Sequence, residues 1–280
     1  MCEMSQWSDI YTEMGDPDLY VLRLIHKKAY EFAISFCKNR IVLEIGCGSG
    51  YGSKYLSQVA RKVISVDTDE SAINYAKKHY ISPNVVYKKL ENPMSLPFKS
   101  GTFDVIVIFQ VIEHIPSENV SKFLKEVKRV LKEGGVALFT TPNRKFRLLP
   151  FQKPWNKHHY IEYTPRQLQK LLGKNFKHVS ILGLTGKKEL VSFEKRRVKK
   201  AQVSMFYNSF PIRVIIKIMQ KQPFGHIKFF VKEVIKSQFL IRHPVRSHIE
   251  SIVKSYGLDG LYYTKTELNK TMDLMAICKK

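Results

Sequence analysis

Nine residues, Val42-Leu43-Glu44-Ile45-Gly46-Cys47-Gly48-Ser49-Gly50, carry an apolar run into a glycine-rich turn. Glycine has no Cβ, so such a backbone turns sharply and lets a ligand come close. The spacing is not that of a dinucleotide site, which wants a third glycine where Tyr51 stands. Glu44, just ahead of the turn, would repel a pyrophosphate and suits a cationic ligand. Asp67 closes the next β-branched run, 23 residues later (67 − 44). A carboxylate at a neighbouring strand tip can accept both hydroxyls of a ribose, with Thr68 beside it. Asn92 follows a third run, where its amide could bond an adenine edge, and Gln110 to His114 follow a fourth. Further on stand His158 and His159. Imidazole titrates near neutrality and can take a proton from a hydroxyl.

These residues need strands and helices to bring them to one edge. Arg40–Glu44, Lys62–Val66, Val85–Lys88, Phe103–Phe109 and Val136–Thr140 read as strands, the fourth apolar enough for the centre of a parallel sheet. Helical patterns lie between them at Tyr51–Val59, Glu70–Lys78 and Ser117–Leu131, the last stopped by Gly134-Gly135. A helix from about Leu19 to Cys37 precedes the first strand. Thr164-Pro165 opens another that runs to about Leu172. His178–Leu182 and Met272–Cys278 read as later strands. This alternation predicts an open α/β sheet with ligands at the carboxyl ends of its strands.

The order Leu43-Glu44-Ile45-Gly46-Cys47-Gly48-Ser49-Gly50, Val66-Asp67, Leu96-Pro97-Phe98 with Phe103-Asp104, Ile112-Glu113-His114-Ile115 and Leu131-Lys132-Glu133-Gly134-Gly135 resembles the class I S-adenosylmethionine (SAM) dependent methyltransferases. The likeness covers about residues 38–145. It implies a Rossmann-like, seven-stranded, mostly parallel α/β sheet with helices on both faces. It implies SAM as cofactor, with Glu44, Gly46, Gly48 and Asp67 as contacts, joined by Cys47, Gly50, Thr68, Asn92 and Gln110 as candidates. Asn92 stands where that family usually has Asp. SAM is cationic and carries no phosphate, which agrees with Glu44 beside the turn. Residues 1–37 are expected as an N-terminal helical lid and 38–185 as the cofactor-binding core. Residues 186–263 are expected as a basic, mainly helical insertion or cap, and 264–280 as a final strand returning to the core.

A narrower resemblance, to methyltransferases found with polysaccharide-building enzymes, rests on His26–Ala33, Gly50-Tyr51-Gly52-Ser53, Thr141-Pro142-Asn143-Arg144 and the loop Asn156–Thr164. Methyl transfer is an in-line displacement in which positioning does most of the catalysis. A hydroxyl acceptor also has to lose its proton. His159 is the first candidate base, its alternative role being to anchor the loop or hold the acceptor; His158 stands beside it. His114, in the Glu113-His114 pair, is the second, its alternative being a structural bond near the cofactor. Ubiquinone-pathway O-methyltransferases resemble that segment, but Gln110 replaces one anionic ligand of their Glu-x-x-Glu-His pattern, so no metal is expected. Tyr11, Trp7 and Tyr160 are candidates for a lid or substrate wall, or for ordinary packing.

The chain of 280 residues has a net charge of +23. From Gly186 onward lie 20 of the 47 basic and only 7 of the 24 acidic residues. Such a field draws anionic partners or simply aids solubility. The cluster Lys195-Arg196-Arg197 with Lys199-Lys200 and the apolar stretches Ile212–Met219 and Ile227–Leu240 fit an anionic membrane surface or a helical cap. Four scattered cysteines, Cys2, Cys37, Cys47 and Cys278, argue against a zinc site or a disulfide framework. With no signal peptide or spanning helix read, a cytoplasmic protein is expected, peripheral at most on the inner membrane face. The expected activity is O-methylation of a glycan, lipid-linked or other small-molecule acceptor. Two alternatives stay open: RNA methylation drawn by the charge, although no base-methylating tetrapeptide follows the fourth strand, and a non-catalytic SAM-binding scaffold. Nothing in the sequence sets an oligomeric state.

Overall fold

The structure is a computed structural model that describes residues 17–208 and 255–280. Trp7, Tyr11, Ile212–Met219 and Ile227–Leu240 lie outside the described residues.

Eight strands form one sheet: β1 Ile41–Ile45, β2 Lys62–Asp67, β3 Val85–Lys89, β4 Phe103–Phe109, β5 Leu131–Pro142, β6 His178–Gly186, β7 Leu261–Thr264 and β8 Asp273–Lys279. Their order is β3-β2-β1-β4-β5-β8-β6-β7. The first five are parallel, and β8 enters antiparallel between β5 and β6. The last strand therefore does return to the sheet. The expected count of seven is corrected to eight. Leu261-Tyr262-Tyr263-Thr264, of which the first three fall in the expected insertion and Thr264 in the expected final-strand segment, pair antiparallel with β6 at the sheet edge. A four-residue edge strand carries too little alternation to stand out from its surroundings.

The helices are α1 Pro17–Cys37, α2 Tyr51–Ser57, α3 Glu70–His79, α4 Ser117–Val130, α5 Arg144–Arg147, α6 Pro165–Leu172 and α7 Lys188–Asn208. They cover both faces, which is why β4 is apolar from Val105 to Phe109. Along β1, Leu43 and Ile45 join Ile106, Ile108, Phe123, Leu124 and Leu168 on one face. Val42 joins Val63, Val107, Leu138, Ala33 and Cys37 on the other. α4 turns Val120, Phe123, Leu124, Val127 and Val130 inward at helical spacing. α6 is closed at its start by Thr164 and Gln167, each accepting the other's backbone N–H.

One expectation about local chain course fails. Gly134-Gly135 do not end α4, which stops at Val130; β5 begins at once and bulges. Phe103 pairs with Leu131, but Val105 pairs with Val136, so residues 132–135 form an excursion from the ladder. Gly134, at φ 71, makes the turn within it.

Candidate active site

The order of the strands reverses at β1 and β4, and the crevice beyond their carboxyl ends is where such sheets hold ligands. The glycine turn fills the β1 side. Gly46 has φ 77, and a Cβ there would sit 2.4 Å from Val111 Cγ2, so the turn packs directly on the segment that leaves β4. Gly48, at φ 51, has nothing within 4 Å of its Cβ position. This is the part of the loop open to a ligand. Gly50, at φ 92, rests against Ala76 of α3.

Asp67 meets the loop from β2. Its Oδ2 accepts from the Gly48 N–H at 2.8 Å and its Oδ1 from the Asp69 N–H at 2.9 Å. Two of its four lone pairs are left for hydroxyl donors. Burial raises its pKa. Thr68 and Asn92 are exposed at the same edge, the Asn92 Oδ1 accepting from the Met94 N–H. Gly48 and Asp67 are thus joined directly, and Thr68 and Asn92 present exposed polar groups after β2 and β3.

Three expected cofactor contacts have other duties. Glu44 is 1% exposed, and its carboxylate accepts from the hydroxyls of Tyr30, Ser53 and Ser65. The parallel register sets Ser65 directly beside it. Glu44 thus ties α1 and α2 to β1 and offers no open surface to a ligand. The Cys47 side chain is buried with Ile73, Ala76 and Tyr87, and burial holds its thiol far above the usual range. Gln110, at φ 55, donates its amide nitrogen to Thr140 Oγ1 and Asp273 Oδ2.

Beyond β4 the chain makes one turn of 3-10 helix, Ile112–His114. Glu113 is fully buried; its Oε2 accepts from the Thr141 hydroxyl and its Oε1 has no hydrogen-bond partner among the described residues. Burial pushes its carboxyl up to about 8. The loop after β5 closes over this turn. Asn143 caps α5 and also donates to Leu268 O and Thr271 O, pinning the end of β5. Arg144 N–H bonds Tyr163 O, and Tyr160 N–H bonds Glu113 O at 2.8 Å. His159 is thereby carried onto His114, with ring centroids 4.7 Å apart and an interplanar angle of 88°. Glu113, His114 and His159 hold their polar atoms within 4.8 Å of one another.

The His114 Nδ1 lies 3.0 Å from the His158 carbonyl oxygen. A carbonyl only accepts, so this nitrogen carries the hydrogen. Burial, the charge of His159 and that of His158 lower the His114 pKa to about 4, against the raising effect of that carbonyl. His158 contributes its backbone to this arrangement, its N–H bonding Asn156 Oδ1. Tyr160 points outward, 64% exposed.

Sequence reading missed two participants. Glu162 is fully buried, with Oε1 3.0 Å from His159 Nδ1 and 3.3 Å from Arg147 Nη2. Arg147 stacks 4.4 Å above Trp155. The His-x-x-Glu spacing of residues 159 and 162 was the available signal. For Arg147 there was none, because its partner lies across a loop closure. The basic cluster on α7 also divides. Arg197 turns inward to Glu194 at 2.6 Å and Arg196 lies over Phe193, leaving Lys195, Lys199 and Lys200 exposed.

Comparison with known proteins fits this geometry. Residues 43–139 match the family model described as Methyltransferase domain. A probable S-adenosylmethionine-dependent methyltransferase of Mycolicibacterium smegmatis is 37% identical over 52% of this chain and 55% of its own length. A ubiquinone biosynthesis O-methyltransferase of Coxiella burnetii is 29% identical over 52% of this chain and 63% of its own. The chain thus spans little more than half the length of the curated relatives it matches. The crystal structure of the cyclase SpnF aligns with a TM-score of 0.51 at 15% identity, over 89% of this chain and 79% of that one, a likeness of fold alone. On the family match, the relatives and the glycine turn with Asp67, residues 43–139 are a methyltransferase domain of the SAM-dependent class.

Proposed function

We propose that the protein transfers a methyl group from SAM to a hydroxyl oxygen of a glycan, lipid-linked or other small-molecule acceptor, with His159 as general base. SAM supplies an electrophilic methyl on a sulfonium that leaves readily. Gly48, Asp67, Thr68 and Asn92 would hold its nucleoside end, Asp67 accepting ribose hydroxyls. The observation that carries the reading is the histidine pair: His159 lies buried on His114 beyond β4, and Val111 connects that segment to the glycine turn. A base at this place serves an acceptor hydroxyl, whose proton must go as its oxygen attacks. His114, kept neutral, shapes the same wall. Tyr160, exposed beside His159, is a candidate acceptor wall. The three polar groups are read as an acid–base cluster, since buried Glu113 keeps its proton to about pH 8.

The net charge of +23 favours a second reading, methylation of RNA, or attachment to an anionic membrane by the exposed lysines of α7. No helix among the described residues is long and apolar enough to cross a membrane. One experiment separates these readings. The protein is incubated with methyl-labelled SAM and extract from its source, fractionated into lipid, glycan, RNA and protein. Label in an alkali-stable ether of a glycan or lipid fraction is the expected result. Label in RNA selects the second reading. SAM binding in calorimetry with no labelled fraction would leave a binding protein.

A further inference from the structure

His159 has two ring nitrogens, and a base needs the right one free. Its Nδ1 faces the Glu162 carboxylate at 3.0 Å. A carboxylate oxygen in that position accepts, so Nδ1 carries the hydrogen and Nε2 keeps the lone pair. The Glu162 carboxylate is itself held. It is wholly buried, and Arg147 supplies its counter-charge at 3.3 Å. Arg147 is in turn stacked on Trp155. The turn between His159 and Glu162 cannot swing, because Tyr160 and Ile161 both bond Glu113 O through their backbones. A buried acid has a high cost unless it is paired, and here pairing leaves Oε2 without a hydrogen-bond partner among the described residues. Such an arrangement serves orientation better than it serves stability.

We propose that Glu162 is a positioning residue for the methyl transfer: paired with Arg147, it locks His159 in the Nδ1–H tautomer so that Nε2 is the base. This rests on the reading of His159 as base. In the step, Nε2 takes the acceptor hydroxyl proton as that oxygen bonds the methyl carbon. The carbon–sulfur bond breaks with its electron pair left on sulfur. The imidazolium beside the carboxylate later gives its proton to water. The groups around His159 are Glu162 on its own loop, His114 and Glu113 from the turn after β4, and Arg147 from α5.

The test uses the full chain labelled with nitrogen-15 histidine. Two-bond proton–nitrogen spectra report each ring's tautomer without any acceptor. The wild type is expected to show His159 as Nδ1–H. Glu162→Gln, whose amide can turn either its oxygen or its NH₂ toward the ring, is expected to give a mixed tautomer. It also removes a negative charge beside the ring, so the acidic limb of the kcat profile should move to lower pH. With the acceptor fraction that takes label, kcat should fall at least tenfold while the KM for SAM holds. Glu162→Asp should recover part of both effects. If Glu162→Gln fails to fold, the double variant Arg147→Met/Glu162→Gln removes both charges and is read in the same way. A folded Glu162→Gln protein with an unchanged His159 tautomer would overturn the proposal. If His159→Ala leaves labelling intact, the base reading falls. If His159→Ala abolishes labelling and Glu162→Gln does not affect it, only the role given to Glu162 falls.

Discussion

Gly46 and Asp67 divide the work of the cofactor edge between space and charge. Gly46→Ala places a methyl 2.4 Å from Val111 Cγ2 at a backbone φ of 77. We expect a stability loss of about 1–3 kcal/mol from the overpacking, measured by urea unfolding, together with weaker SAM binding. Adding Val111→Ala should recover the steric part and leave the strain of positive φ. Asp67→Ala strands the Gly48 N–H and removes the carboxylate proposed to accept the ribose hydroxyls, so SAM affinity in calorimetry should fall at least tenfold while the fold survives. His159→Ala should cost about 10²–10⁴ in kcat if it takes the acceptor proton. A chelator should leave wild-type transfer unchanged. Activity lost to the chelator and restored by one divalent ion would reassign Glu113, His114 and His159. At this scale the sequence showed which residues stand at the strand ends, as with Gly48 and Asp67, which the fold joins by a hydrogen bond. It did not show the buried partners of Glu44, Cys47 and Gln110, because proximity along the chain does not say which way a side chain turns. Glu44 points toward α1, whose Tyr30 arrives from an earlier helix.

Between elements, the junction of α1, α2 and β1 is the tightest contact that the site depends on. A Cβ at Gly52 would fall 2.0 Å from the Tyr30 ring, which packs edge-on against Tyr51 and Phe109 and donates to Glu44. Gly52→Ala should push Tyr30 away and leave the buried carboxylate one donor short, a loss of roughly 1–3 kcal/mol. Because α2 starts at the end of the glycine turn, SAM affinity should fall with it. Tyr30→Phe, which removes the donor without the clash, should reproduce the stability loss while affecting affinity less. Elements were read from sequence where period and punctuation agreed. β4 and the capped start of α6 are seen as expected. The bulge of β5 and the edge strand β7 were not readable, since a bulge depends on the register of a partner and β7 on the existence of β6.

Over the whole molecule, two acids are buried near one another beneath the site. Glu113 and Asp273 are both fully enclosed, and burial raises each carboxyl to about 8. In the unfolded chain they would release their protons near pH 4 to 4.5. The folded state therefore holds more protons between those limits, and its stability falls as pH rises through that window. The decline levels above about pH 8. Glu113→Gln and Asp273→Asn should each flatten the decline in Tm between pH 5 and 8. Asp273 begins β8, and that strand has a consequence for biosynthesis. It fills the slot between β5 and β6, yet it is translated after the seven other described strands. Until it emerges, a nascent chain keeps the facing edges of β5 and β6 unpaired and Gln110 without its Asp273 partner. Those open edges can pair with other chains, so the arrival of β8 both completes the sheet and closes a route to aggregation.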